Sequence, residues 1–228
     1  VMTVDIWLVD GGGHRSNRLN ATIQVIENNL DWQMRVSGLP HTLNDVYWNG
    51  RQFLAVGDGG LIMRSEDGIA WSRVESGVTE NLNAIIYVGV IIHNDVNSYF
   101  VVGDGGTVIS SADNGEHWSP TPSQGPDEAS LRVIRGYAFG SLVAAGKKEG
   151  GADTAFIMNS HDFGRTWTIE EDLPQSGRSI TDMAFAIYPD SPFPQTVATT
   201  QIEIDGNGKD ARVLVSSDGF PDGSDWIE

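Results

Sequence analysis

Apolar residues in this chain come in short runs of strand length, and no run keeps the three-to-four-residue period of an amphipathic helix. One group of four runs is Leu43 to Trp48, Phe53 to Val56, Leu61 to Ser65 and Trp71 to Val74. A second is Leu82 to Val88, Tyr99 to Val102, Thr107 to Ser111 and a strand opening at Trp118. A third is Leu131 to Tyr137, Leu142 to Ala145, Ala155 to Asn159 and Thr166 to Ile169. A fourth is Ile180 to Ile187, Thr196 to Ile202, Ala211 to Ser216 and Trp226 to Glu228. Ahead of them, Val4 to Val9 and Ala21 to Ile26 read as the second and third strands of a partial unit. Its fourth strand begins at Trp32, after a degenerate turn over Glu27 to Asp31, and no innermost strand precedes Val4.

The most complete stretch is Val101 to Trp118, in which two strands meet across Gly103-Asp104-Gly105-Gly106 and the second runs into a polar turn closed by tryptophan. The same unit stands at Ala55 to Trp71 and at Ala155 to Trp167. Aligned on Trp32, Trp71, Trp118, Trp167 and Trp226, the units are spaced by 39, 47, 49 and 59 residues. Four short strands repeated at roughly 40–50 residues predict the blades of a β-propeller. The expected fold is an all-β propeller of about five four-stranded blades, the first incomplete. It forms a single domain over 1–228 with blades near 1–38, 39–78, 79–122, 123–175 and 176–228, either alone or within a longer chain.

Composition narrows the function more than the fold. The 27 glycines in 228 residues suit many tight turns, and no apolar run is long enough to span a bilayer as a helix. The chain has no cysteine, so a disulfide framework and a Cys-ligated metal are excluded. A formal charge of −17 argues against a nucleic-acid partner, whose phosphates require clustered Lys and Arg. The five histidines show no metal-binding spacing, and Asp205 to Asp210 begins like a calcium loop but lacks its glycine and closing glutamate. No cofactor or metal is expected. Asn20-Ala21-Thr22 is a glycosylation sequon by pattern only.

The closing turns follow Ser-x-Asp-x-Gly-x-x-Trp. Ser160, Asp162, Gly164 and Trp167 fit it with a threonine before the tryptophan, and Ser111, Asp113, Gly115 and Trp118 fit it without one. Ser65, Asp67, Gly68 and Trp71 form a version one residue shorter, while Ser216, Asp218 and Gly219 start a fourth whose Trp226 is delayed by an insertion. An Asp in a tight turn accepts bonds from backbone N–H groups, glycine supplies positive φ, and tryptophan packs between blades. These residues resemble the Asp-box, or bacterial neuraminidase repeat. With the GDGG turns, the chain is similar to photosystem II stability-factor-like and phage BNR-like propellers. The resemblance implies that the boxes lie on the face opposite the usual active site and that their Asp residues hold turns.

The same superfamily contains sialidases, whose resemblance would demand an arginine triad, a tyrosine nucleophile with a glutamate partner, an aspartate acid and an Arg-Ile-Pro-like segment. Met34-Arg35-Val36 is the nearest segment and lacks the proline. A sialidase-like glycoside hydrolase therefore stands as an alternative, as does an assembly factor resembling the photosystem family. The reading preferred is a non-catalytic binding or structural module, on a virion appendage or another extracellular surface, with a periplasmic setting as the alternative. Its expected partners are protein neighbours in an assembly or an anionic glycan, with homo-oligomers compatible. A binding sector follows from the blade register. The loops Gly11 to Asn20, Gly146 to Asp153 and Glu203 to Asp210 are long where the other blades carry tight GDGG turns. They hold His14, Arg15, Arg18 and all three lysines, Lys147, Lys148 and Lys209.

Overall fold

The computed structural model describes residues 2–6, 19–23, 41–89, 97–122, 125–137, 140–148, 154–170, 178–187, 194–204, 208–216 and 226–227, with side chains described within 41–184. The chain divides into two compact units, Val1–Val36 and Ser37–Glu228. The described part of the first is a two-stranded antiparallel sheet, β1 (Met2–Ile6) and β2 (Leu19–Ile23), with Val4 opposite Ala21. The described strands include two residues ahead of each expected run, Met2 and Thr3 in β1 and Leu19 and Asn20 in β2, and the later residues of both runs lie outside the described residues. Trp32 lies outside the described residues.

The second unit has the architecture of a β-propeller, built of four four-stranded antiparallel meanders. Blade two is β3 (Leu43–Trp48), β4 (Phe53–Gly57), β5 (Leu61–Ser65) and β6 (Ser72–Val74). Blade three is β7 (Leu82–Gly89), β8 (Asn97–Gly103), β9 (Val108–Ser111) and β10 (Ser119–Pro120). Blade four is β11 (Ala129–Tyr137), β12 (Ser141–Lys148), β13 (Thr154–Ser160) and β14 (Thr168–Glu170). Blade five is β15 (Arg178–Ile187), β16 (Pro194–Ile204), β17 (Gly208–Ser216) and β18 (Trp226–Ile227). The first strands β3, β7, β11 and β15 contact one another in succession. In blades two to four, the box tryptophans sit just before the fourth strand rather than on it.

Side chains alternate across each sheet, so a strand between two blades buries both faces and reads as a continuous apolar run. β12 shows this best: Leu142 and Ala144 enter a core with Phe100, Val102 and Val108 of blade three, while Val143 and Ala145 enter one with Ile180 and Met183 of blade five. Between blades two and three, Leu54, Val56 and Ile62 pack on Leu82, Tyr99, Val101, Ile109 and Trp118. Trp167 packs against the core between blades three and four, and Trp71 against buried Ala55, Leu61 and Met63.

One feature repeats that no hydrophobic pattern announces. The first strand of every blade in this unit has a register shift near its start, between Leu43 and Asp45, Leu82 and Ala84, Leu131 and Val133, and Ile180 and Asp182. Opposite it stands Gly57, Gly103 or Gly146, and in blade five Thr200. A Cβ on those glycines would lie 2.0 Å from the Thr42 carbonyl oxygen, 2.1 Å from that of Asn81 and 1.9 Å from that of Ser130. The glycine is there because a bulged backbone passes too close for any side chain.

Candidate functional site

The meander topology places the turns between second and third strands at one end of each blade, and those between third and fourth strands at the other. At the latter end the Ser-x-Asp turns are closed by their own side chains. In blade two the Ser65 hydroxyl meets Asp67 (3.1 Å), whose carboxylate accepts from the Ile69 and Ala70 N–H groups, and Trp71 Nε1–H donates to the Gly68 carbonyl (3.1 Å). In blade three Asp113 accepts from the Ser111 hydroxyl (2.8 Å) and the His117 N–H (2.9 Å), and Trp118 Nε1–H donates to the Gly115 carbonyl (3.2 Å). In blade four Asp162 accepts from the Ser160 hydroxyl (2.9 Å), the Thr166 N–H (2.8 Å) and the Thr166 hydroxyl (2.7 Å). Backbone N–H donors stabilise the charged form, so all three carboxyls lie below the ordinary value. Asp113 is held at about 2, chiefly by the His117 N–H and by its imidazole. The residue before the turn glycine, Asn114 or Phe163, takes φ near +60°. Of the fourth turn, Ser216 is paired with Trp226, while Asp218 and Gly219 lie outside the described residues.

At the opposite end, the bulged residue becomes a lock between blades. Asn44 Nδ2 donates to Asp58 of its own GDGG turn and to the Leu82 carbonyl of the next blade, both at 3.0 Å. Asn83 repeats this with Asp104 and the Leu131 carbonyl, both at 2.9 Å. Asp104 also accepts from Asn81 (3.0 Å) and the Ser130 hydroxyl (2.7 Å). Burial pushes the Asp104 carboxyl up, but the bonds from Ser130, Asn83 and Asn81 and the charge of Arg132 outweigh it and hold it below its usual value.

In blade four the same two positions carry different chemistry. The bulged residue is Arg132, which is exposed, and the residue after the glycine is Lys147. The structure corrects the loop expected over Gly146 to Asp153: β12 continues through Lys147 and Lys148, opposite Ala155 and Thr154, because the hairpin keeps its register beyond the glycine. Lys148 pairs with Glu128 (3.2 Å). The loop expected over Glu203 to Asp210 is corrected likewise, since Lys209 sits in β17 opposite Glu203, and Asp210 opposite Ile202. Lys147 and Lys148 are thus brought together on one strand; His14, Arg15 and Arg18 lie outside the described residues. Arg132 was missed, although its place two residues after Ser130 matches Asn44 and Asn83 in the repeat alignment.

Other charged groups join first strands. Asp45 accepts from the Ile85 N–H of the next blade (2.9 Å). Arg135 donates to the Met183 carbonyl (2.9 Å) and to Asp182 of blade five. Among the described residues, Asp113, Glu116 and His117 bring possible metal-ligating atoms within 4.8 Å of one another. All three are exposed, the imidazole is already bonded to Asp113 (2.6 Å), and Glu116 faces Arg64 (3.5 Å).

No protein-family model matches the sequence, and no curated protein matches it. Solved structures do. The chain is similar to YCF48 bound to D1 peptide, with a TM-score of 0.52 and 16% identity over 87% of this chain and 71% of that one. It is also similar to the GH74 enzyme of Niastella koreensis, with a TM-score of 0.51 and 17% identity over 78% of this chain. There it spans 24% of the enzyme's length. At these identities the likeness establishes the β-propeller fold, shared by a protein solved with a peptide and by a glycoside hydrolase.

Proposed function

We propose that the chain is a non-catalytic propeller module of Asp-box type that binds a partner through the face formed by the turns between second and third strands. The observation that carries this reading is where the well-placed carboxylates go. Asp67, Asp113 and Asp162 are engaged by their own turns, Asp58 and Asp104 by interblade locks, and Asp45 and Asp182 by neighbouring first strands. A glycosidase needs two carboxyl groups converging on one bond about 5–10 Å apart and free to move protons. Carboxylates committed to turns and locks are suited to stiffening a scaffold that displays its end loops. The setting proposed with this function is an extracellular surface such as a virion appendage, an expectation that the sequence alone supports.

The test is one sample put to two assays: an array of glycans and peptides read for capture, and a panel of glycosides read for release of reducing ends. Saturable capture without turnover is expected. Turnover that survives replacement of the buffer and repurification would overturn the reading.

A further inference from the structure

Beyond that reading, and at the other end of the blades, we infer that the turn between the third and fourth strands of blade two forms a separate binding site, an open cleft that takes a neutral pyranose ring. The inference comes from comparing one turn in three blades. In blade three Asp113 uses both carboxylate oxygens: Oδ1 accepts from the Ser111 hydroxyl and the His117 N–H, and Oδ2 meets His117 Nδ1 at 2.6 Å. In blade four Asp162 does the same, Oδ1 accepting from Ser160 and the Thr166 N–H, and Oδ2 from the Thr166 hydroxyl at 2.7 Å. The side chain that caps Oδ2 belongs each time to the residue just before the tryptophan. In blade two that residue is Ala70, whose N–H keeps the bond to Asp67 Oδ1 (2.9 Å) but whose methyl group has nothing to donate. The bonds from Ser65, Ile69 and Ala70 all fall on Oδ1, and Oδ2 goes without its cap.

A cleft of about 360 Å³ opens at this turn, lined by Arg64, Glu66, Asp67, Ala70, Trp71 and Ser72. That volume lies at the small end of ligand sites and suits one ring rather than a chain. Trp71 is half-buried: it packs on Ala55, Leu61 and Met63 and also lines the cleft, whereas its counterpart Trp118 is buried between blades. An indole gives the apolar face of a sugar a plane to rest on. Arg64 faces Glu116 at 3.5 Å, a contact that leaves most of its five N–H donors over. The cleft thus sets a cationic donor and two carboxylate acceptors, Glu66 and Asp67, around one aromatic wall. An inorganic anion would meet the carboxylates, and a simple cation would meet the guanidinium. A hydroxyl both donates and accepts, so neighbouring hydroxyls on one uncharged ring satisfy both kinds of group.

The experiment titrates the full chain with a panel of methyl pyranosides, read by saturation-transfer NMR and calorimetry. Sorbitol serves as a polyol without a ring, and tetramethylammonium as a cation. Saturable binding of at least one glycoside is expected, with a Kd of about 1–10 mM, as suits a single ring in an open cleft. Ala70→Thr supplies the cap that Thr166 gives in blade four, so it is expected to fold and to weaken that binding by at least about tenfold. Arg64→Gln removes the cation, leaves the Asp67 turn untouched and should weaken binding by at least about fivefold. Because the ligand is uncharged, its affinity should hold from low to high salt. Failure of every glycoside to bind, undiminished affinity in either variant, or tighter binding of sorbitol or the cation than of any glycoside would each overturn the inference. A glycan captured equally well by both variants sits at another face, which leaves the proposed function standing and removes only this site.

Discussion

Trp118 and Ile69 belong to neighbouring examples of the same turn and carry opposite burdens. Trp118 is 8% exposed, its indole N–H satisfied by Gly115 and its ring packed 6.1 Å from that of buried Tyr99 in the core between blades two and three. Burial in the same core pushes the Tyr99 hydroxyl up to about 12. Trp118→Ala is expected to destabilise the protein by about 3–5 kcal/mol, because it empties an interblade contact that neither sheet can collapse to fill. Ile69 lies within the shorter turn, its N–H bonded to Asp67, and is 59% exposed. Ile69→Ala should stay within about 0.5 kcal/mol. Urea midpoints for the two variants check this directly, and equal losses would show that the tryptophan does not join the blades as the packing indicates.

At the scale of strands and turns, the bulge sets each blade's relation to the next. Gly103→Ala places a β-carbon 2.1 Å from the Asn81 carbonyl oxygen, so backbone must move, at a cost of about 1–3 kcal/mol or more. Asn83→Ala removes bonds to Asp104 and to the Leu131 carbonyl, which is worth about 1–2 kcal/mol. If both variants melt with the wild type, the lock contributes nothing. The strands themselves were legible in the sequence, since two-sided burial writes apolar runs such as Leu142 to Ala145 and the boxes announce their own turns. The locks were not, because these strands bury both faces, and the phase shift that a bulge introduces is lost in runs such as Leu82, Ala84 and Ile85 or Leu131, Val133 and Ile134, all buried. Only its glycine is visible, and Gly57 and Gly103 read as turn glycines and Gly146 as the first residue of a long loop. The hairpin ends around Lys147 and Lys209 were misjudged for a related reason. Polar residues there suggest loops, yet backbone pairing carries the strands past them.

The whole molecule joins an acidic surface to a set of anchored carboxylates, and the two respond to acid in opposite senses. A net charge of −17 means self-repulsion at neutral pH, which eases as protons bind. Asp67, Asp104, Asp113, Asp162 and Glu128 all have folded values below their ordinary ones. For such groups the folded state binds fewer protons than the unfolded chain. The stability they contribute is therefore complete above the unfolded value, about 3.9 for Asp, and is lost as pH falls through the folded value. For Asp113 that value is about 2. The urea midpoint should accordingly hold or rise from about pH 7 to about pH 5, then fall steeply below about pH 4. Added salt at neutral pH should raise it by screening the repulsion. A double variant, Asp113→Asn with Asp162→Asn, should be less stable at neutral pH and show a shallower acid limb, because two of the groups that titrate there are gone. A midpoint that declined between pH 7 and pH 5 would mean that repulsion is not the governing term above the carboxylate range. An acid limb unchanged in the double variant would mean that the turns do not depend on the charge of their aspartates.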